Sequence, residues 1–203
     1  QMAAAKRDGY VIKLLAICEA IPADGINGEE GISVRVYPAM VPLEHPLASV
    51  RGAFNAVFVE AEAAGSLMFY GAGAGGVQTA SAVMGDLVSA AKRHVAGGPG
   101  LADSVHADLE VLPISRIQTR YQITLEVTDQ PGVLAQVANI FAHHNVSIET
   151  VEQSAKMIEA ETTAWLEIGT HQASDKALAA VVAELSASAA VEQITSVIRV
   201  EGV

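Results

Sequence analysis

Residues 121–134 read YQITLEVTDQPGVL, and they set the fold of the second half of the chain. Ile123, Leu125 and Val127 alternate with polar residues, which is the pattern of a half-buried strand. The residues at 129–132 then predict a turn, because Pro and Gly suit the backbone angles that turns require. From Val133 onward, apolar residues recur at three- and four-residue steps, which predicts a helix that ends near His144.

The rest of the second half repeats this alternation of strands and helices. Periodicity predicts a strand at 146–154, a strand at 162–168, a helix at 173–187 and a strand at 191–200. The order is βαββαβ, the ferredoxin-like split arrangement, in which one antiparallel sheet carries two helices on one face.

The first half predicts a mixed or antiparallel sheet with helices. A short helix at 2–7 stops at Gly9, and β-prone runs at 10–21 and 32–37 flank turn signals and form a hairpin. Pro38, Pro42 and Pro46 predict an irregular segment, followed by strands at 54–61 and 66–70 and a helix at 76–96. The fold class is therefore α+β, with domains at 1–97 and 118–203 and a linker at 98–117.

Composition excludes some classes of protein. The net charge of −11 argues against a nucleic-acid partner, because such proteins carry basic surfaces. No apolar stretch is long enough to span a membrane, and no signal peptide is recognisable, so the sequence predicts a cytoplasmic protein. The single cysteine, Cys18, lies in an apolar run and is interpreted as a buried, inert thiol. The scattered histidines show no spacing typical of metal ligands, so no metal site is predicted.

A glycine-rich run joins the last predicted strand of the first half to the following helix. Residues 71–76 read GAGAGG, and such a junction lets the backbone approach another group closely. The free N–H groups of the helix N-terminus favour an anionic or hydrogen-bond-accepting ligand there. A tight turn without a ligand is the alternative, and the glycine pattern alone slightly favours it.

The second half resembles the ACT domain, a small amino-acid-sensing module. The resemblance lies in TDQPGVL at 128–134 and HNVSI at 144–148. It implies that an amino-acid effector binds near five residues, at an interface between ACT domains: Asp129, Gly132, Val133, Asn145 and Ile148. Taken alone, Asp129 can cap the helix or accept a hydrogen bond from an α-ammonium group, and capping is the favoured role.

The first half resembles the end of the catalytic domain of homoserine dehydrogenases. The matching segments, in family order, are YVIKLLA at 10–16, HPLA at 45–48, VRGAFNAV at 50–57, MFYGAGAGG at 68–76 and TASAV at 79–83. This family reduces aspartate 4-semialdehyde to homoserine with NADPH or NADH, in threonine, methionine and isoleucine biosynthesis. The resemblance implies that Gly75, with Gly73 and Ala74, packs beside the nicotinamide end of the cofactor.

The chain also departs from the family pattern. The Rossmann fingerprint and the catalytic lysines of the family have no counterpart in residues 1–203, so no catalytic residue is assigned. The start at Gln1 predicts a carboxy-terminal piece of a longer enzyme, and the missing segments predict that this piece is inactive by itself. The long apolar strands of the first half predict a homo-oligomer, a dimer or tetramer. The resemblance implies regulation by L-threonine. The sequence does not decide whether the enzyme prefers NAD or NADP. The alternative function is a non-catalytic module that binds an amino acid or assembles oligomers.

Overall fold

A computed structural model describes residues 2–23, 30–97, 108–158 and 161–202. The helices are α1 Met2–Arg7, α2 Gly76–Ala96, α3 Val133–His143 and α4 Asp175–Ala187. The strands are β1 Tyr10–Ile21, β2 Gly31–Pro42, β3 Phe54–Ala61, β4 Gly65–Ala72, β5 Gln118–Thr128, β6 Ile148–Ile158, β7 Glu161–Thr170, β8 Ala173–Ser174 and β9 Val191–Val200. The predicted α+β class is confirmed. None of the described helices is both long and apolar enough to cross a membrane.

The first compact unit contains residues 1–42 and 109–203. Its main sheet has the strand order β1-β2-β9-β5-β7-β6, and β8 pairs with β5. Strands β9, β5, β7 and β6 are mutually antiparallel, as a ferredoxin-like βαββαβ arrangement requires. Apolar side chains of α3 and α4 and of one face of this sheet form the core, including Leu125, Val137, Leu166, Leu178 and Leu185, each at most 1% exposed.

The β1–β2 hairpin has an inverted burial pattern. Strand β2 alternates polar and apolar residues as predicted, but its polar side is the buried one. Ser33 and Arg35 are 1% and 8% exposed, whereas Val34 and Val36 are 51% and 68% exposed. The alternation of residues 32–37 is that of a half-buried strand, and the buried side is the polar one because Arg35 pairs there with Glu19 and Tyr37.

Two further predictions for the hairpin are wrong. Strand β2 continues through Pro38 to Pro42, where an irregular segment was expected, because a proline without an N–H is tolerated where a strand is not fully paired on both sides. Cys18 is exposed, not buried. It pairs with Val34 across the hairpin and shares the exposed side of β1 with Leu14, which is 73% exposed.

The compact units divide the chain differently from the predicted domains. The hairpin joins the sheet of the second half, so residues 1–42 group with 109–203. Part of the predicted linker is packed, because Val111 bridges to Ile32, and Leu112 and Ile117 are 7% and 1% exposed. The bounds 1–97, 98–117 and 118–203 describe family segments and stay a prediction at that level.

The second compact unit contains residues 43–108. Strands β3 and β4 pair antiparallel over their full length, and the stacked rings of Phe54 and Tyr70 lie 5.0 Å apart. The helix α2 follows β4 and ends at Gly97, whose φ of 70° suits a helix terminus. No residue of α2 is buried, although the helix carries an apolar stripe. His45 caps the 3₁₀ helix Pro46–Ser49 by accepting from the N–H of Leu47, which is a structural role.

Candidate functional site

The glycine-rich run of 71–76 connects β4 to α2, as predicted. Gly75 adopts φ 133° and ψ 131°, a conformation that side-chain-bearing residues rarely reach. Gly73 donates its N–H to the carbonyl of Ala53, at 3.1 Å. A Cβ at Gly73 would lie 1.5 Å from Nδ2 of Asn55, so any side chain there would displace that amide. The backbone conformation thus requires a glycine at 75, whereas a side chain at 73 would require Asn55 to move.

The N-terminus of α2 is exposed and uncapped. Gly75 is the N-cap residue, no side chain of the described residues caps the helix, and Ala74 is exposed beside it. The first N–H groups of a helix have no partner within the helix, and they carry the positive end of its dipole. This loop can therefore donate hydrogen bonds to an amide, carboxylate or phosphate oxygen of a ligand.

The predicted effector turn lies between β5 and α3 in the first unit. Gly132 has φ 94° and is the N-cap of α3, which receives no side-chain cap. The favoured role of Asp129 as a helix cap is therefore wrong, because the N-cap is the left-handed Gly132 and the helix begins at Val133. Asp129 is exposed and makes no hydrogen bond or ion pair with the described residues. Val133 is 8% exposed and anchors the start of α3 in the core.

Asn145 and Ile148 lie at the opposite end of α3. Asn145 has φ 55°, a left-handed conformation that Asn tolerates better than most residues, and its N–H donates to the carbonyl of Ala142 at 3.1 Å. Its side chain is exposed, whereas Ile148 is half-buried and packs against the core. Neighbouring His144 contacts α4, with its Nε2 2.7 Å from Oε2 of Glu184.

One chain does not bring the five predicted effector residues together. Strand β5 ends at Thr128, which pairs with the start of β7, whereas β6 begins at Ile148, which pairs with the end of β7. The two groups of residues are thus at opposite ends of the sheet. The helix α3 of 11 residues separates them, a length of about 16 Å.

The sequence did not predict a buried polar cluster between the hairpin and the rest of the first unit. We call it the Arg199 cluster. Its members come from β2, β5, α4, β9 and the residue that follows β9: Arg35, Tyr37, Tyr121, Asp175, Arg199 and Glu201.

Arg199 is the central residue of this cluster. Its Nη2 and Nε lie 2.6 and 3.1 Å from Oδ1 of Asp175, which also accepts from the hydroxyl of Tyr121 at 2.9 Å. The guanidinium carbon lies 4.5 Å from the ring centroid of Tyr37 and 5.2 Å from that of Tyr121. Arg199 therefore combines a charge-assisted pair with contacts to two aromatic rings.

Arg35 and Tyr37 extend the cluster into the hairpin. Arg35 Nε donates to the hydroxyl of Tyr37 at 2.9 Å, and Arg35 Nη2 lies 2.9 Å from Glu19 and 3.8 Å from Glu201. The hydroxyl of Tyr37 donates to Glu201. The one charge on the polar side of β2, that of Arg35, thus meets two opposite charges, which offsets part of the cost of burying it.

Both cluster tyrosines favour their neutral form. Burial, followed by the hydrogen bond to Asp175, raises the pKa of Tyr121 to about 12, although the charge of Arg199 opposes this shift. Burial and the contact with Glu201 raise the pKa of Tyr37 as well. An unfolded tyrosine ionises near pH 10, so its contribution to stability is complete below that pH and declines above it.

We expect the free energy of unfolding to fall between about pH 10 and pH 12, with about 2–3 kcal/mol of that fall due to Tyr121. The reason is that the unfolded chain releases the Tyr121 proton two pH units before the folded chain does. Urea denaturation of wild type and Tyr121→Phe at pH 8 and at pH 11.5 measures this. A Tyr121→Phe variant with the same alkaline loss as wild type would contradict it.

Three carboxylates, Asp8, Glu152 and Glu167, also come together, with one oxygen of each within 4.8 Å of the others. Arg7 accounts for two of them, because its guanidinium lies 3.3 Å from Asp8 and 3.5 Å from Glu167.

Comparison with known proteins finds two matching families. Residues 1–88 match the model of the homoserine dehydrogenase family, and residues 121–190 match the model of the ACT domain. The first match includes the hairpin, both strands of the second unit and the glycine-rich run, and the second includes all five predicted effector residues.

Curated relatives and a solved structure extend over nearly the whole chain. Homoserine dehydrogenase of Mycobacterium tuberculosis is 52% identical over 96% of this chain, and that of Corynebacterium glutamicum is 46% identical over 98%. The crystal structure of a homoserine dehydrogenase from Thiobacillus denitrificans, 33% identical, covers 98% of the chain with a TM-score of 0.84. The chain spans 44%, 43% and 44% of the lengths of these three proteins.

Proposed function

We propose that this chain, whose residues 1–88 match the homoserine dehydrogenase family and whose residues 121–190 match the ACT domain, is the carboxy-terminal part of an NAD(P)-dependent homoserine dehydrogenase. The whole enzyme interconverts aspartate 4-semialdehyde and homoserine in the cytoplasm, in the biosynthesis of threonine and methionine. The observation that carries this proposal is the family match over a segment that includes the exposed glycine-rich run of 71–76.

The glycine-rich run is the proposed cofactor contact of this chain. Ala74 and Gly75 offer backbone N–H groups at an uncapped helix N-terminus, which fits the amide or phosphate oxygens of NADP or NAD. Gly73 donates its own N–H to Ala53 and fixes the loop beside them. A bound nicotinamide supplies the hydride for the aldehyde carbon. The residues of this chain would orient it, because their backbone leaves room for close approach.

We propose that this chain alone does not transfer hydride. Neither proposed site contains a lysine or another group placed to move a proton, and the exposed apolar stripe of α2, with Val83 and Leu87 59% and 58% exposed, needs a further protein surface to cover it. Assays of homoserine oxidation with NAD or NADP should therefore show turnover for the full-length enzyme and none for residues 1–203. Turnover by the purified 203-residue chain would refute this part of the proposal.

Feedback regulation by L-threonine is the proposed role of the ACT domain. A single chain places Asp129, Gly132 and Val133 about 16 Å from Asn145 and Ile148, the length of α3. Two ACT domains packed in opposite orientations would bring the Asp129 end of one beside the Asn145 end of the other. The effector site is then complete only in a dimer or tetramer. The exposed apolar side of the hairpin, with Leu14 and Val36, also favours such an assembly.

L-threonine is expected to bind the full-length enzyme saturably, and Asn145→Ala is expected to weaken binding about 10-fold or more, by removing a hydrogen-bonding group that faces the ligand. Calorimetric titration measures this, with isoleucine, methionine and homoserine as comparisons. The matched control is Asn55→Ala, in the second unit, which should leave threonine binding unchanged. An ACT domain without a ligand would show no saturable heat with any of these amino acids.

A further inference from the structure

The Arg199 cluster joins segments that belong to two different families. Arg35 and Tyr37 lie in the part matched to homoserine dehydrogenase, whereas Tyr121 and Asp175 lie in the part matched to the ACT domain. Arg199 and Glu201 follow the ACT match: Arg199 contacts both Asp175 and the ring of Tyr37, and Glu201 contacts Tyr37. The cluster is therefore a side-chain connection between the two segments.

The direct backbone pairing at this junction is short. Strands β2 and β9 pair in parallel only at Ala39 with Arg199 and at Met40 with Val200, and the N–H of Glu201 donates to the carbonyl of Met40 at 2.9 Å. Tyr37 extends this junction along the hairpin by two contacts. Its hydroxyl donates to Glu201, and its ring packs against the guanidinium of Arg199. The position of the hairpin relative to β9 thus depends strongly on Tyr37.

Contacts also continue from the cluster to the proposed effector site. Asp175 is the first residue of α4, and Glu184 lies on the same helix. Glu184 contacts His144, the neighbour of Asn145. A continuous chain of contacts thus runs from the neighbour of Asn145 along α4 to Arg199.

We propose that the Arg199 cluster transmits changes of the ACT domain to the β1–β2 hairpin. A buried ionic cluster suits this role, because a buried charge that loses a partner is costly in free energy. The side chains of the cluster therefore favour a few fully paired arrangements over intermediate ones. An effector shifts the hairpin only if the two arrangements bind that effector with different affinities. The role in regulation rests on the function proposed above, whereas the physical connection does not.

Two matched substitutions in the full-length enzyme test the proposal. Tyr37→Phe removes the hydroxyl that bonds Glu201 and Arg35 on the hairpin side. Tyr121→Phe removes the hydroxyl that Asp175 and Arg199 share on the ACT side, and it leaves the Arg199–Asp175 pair in place. Tyr37→Phe should keep the dissociation constant for L-threonine within about twofold. The factor by which saturating L-threonine lowers the activity should fall about 5-fold in this variant. Tyr121→Phe should keep both near wild type, and Glu201→Gln should reproduce Tyr37→Phe.

Several results would overturn the proposal. Inhibition of Tyr37→Phe as in wild type, or loss of threonine binding in that variant, would each do so. If wild type binds none of the amino acids tested, the proposed regulation fails, and hydrogen exchange of the ligand-free enzyme then decides the connection. Amides of Tyr10–Ile21 should exchange faster in Tyr37→Phe than in Tyr121→Phe, with α3 unchanged. Equal exchange in the two variants would refute the connection.

Discussion

Asp175→Ala is expected to lower the free energy of unfolding of the chain by about 3 kcal/mol, the lower end of the range for breaking a buried ion pair. Asp175 is 5% exposed, and one of its oxygens accepts from Arg199 and from Tyr121. Removing it leaves the Tyr121 hydroxyl without this acceptor and the Arg199 guanidinium without its opposite charge, with only the Tyr121 hydroxyl still accepting from Arg199. The lower end applies because the Arg199 side chain is 24% exposed and retains some water.

Urea denaturation followed by circular dichroism measures this loss, with Asp129→Ala as the matched control. Asp129 is an exposed aspartate next to the first turn of the other ferredoxin-like helix, and its substitution should change stability by less than about 0.5 kcal/mol. Asp175→Asn should fall between the two, since it keeps the shape of the side chain and loses the charge. A loss below about 1 kcal/mol for Asp175→Ala would mean that the cluster is not a strong junction.

The local elements of this chain follow from its sequence to an unusual extent, because its apolar residues are regularly spaced. The predicted bounds of β1, β3, α2 and β9 agree with the structure, and the predicted order of the second half gives the observed sheet. The buried side of β2 did not follow. The alternation of Val34 and Val36 with polar residues has one period but two possible faces, and only the tertiary partners of Arg35 decide between them.

The Arg199 cluster is beyond sequence reasoning for a related reason. Its charged residues lie at positions 35, 175, 199 and 201, and the sequence around each of them is typical of an exposed strand or of the start of a helix. Long-range pairing of β2 with β9 makes them neighbours, and no local pattern encodes that pairing. The predicted effector residues show the converse case. The ACT resemblance assigns Asp129 and Asn145 to one site, but the strand pairing places them at opposite ends of the sheet within one chain.

Gly75→Val in the full-length enzyme is expected to lower kcat/KM for homoserine oxidation about 100-fold, because a displacement of about 1 Å at a reacting centre has an effect of that size. At φ 133°, a residue with a side chain costs about 1–3 kcal/mol, and a Cβ would lie 2.3 Å from Oε1 of Gln78. The loop would relax by moving its N–H groups away from the cofactor.

Gly76→Ala is the control that separates the loop from the helix. Gly76 is the first residue of α2, and a Cβ there meets no atom within 4 Å, so the substitution should leave kcat/KM near the wild-type value. Steady-state kinetics with varied NADP, together with thermal denaturation, distinguish cofactor misplacement from unfolding. The role proposed for the glycine-rich run requires Gly75→Val to lose activity at an unchanged melting temperature. If Gly76→Ala loses as much, the N-terminus of α2 as a whole, and not the Gly75 conformation, determines activity.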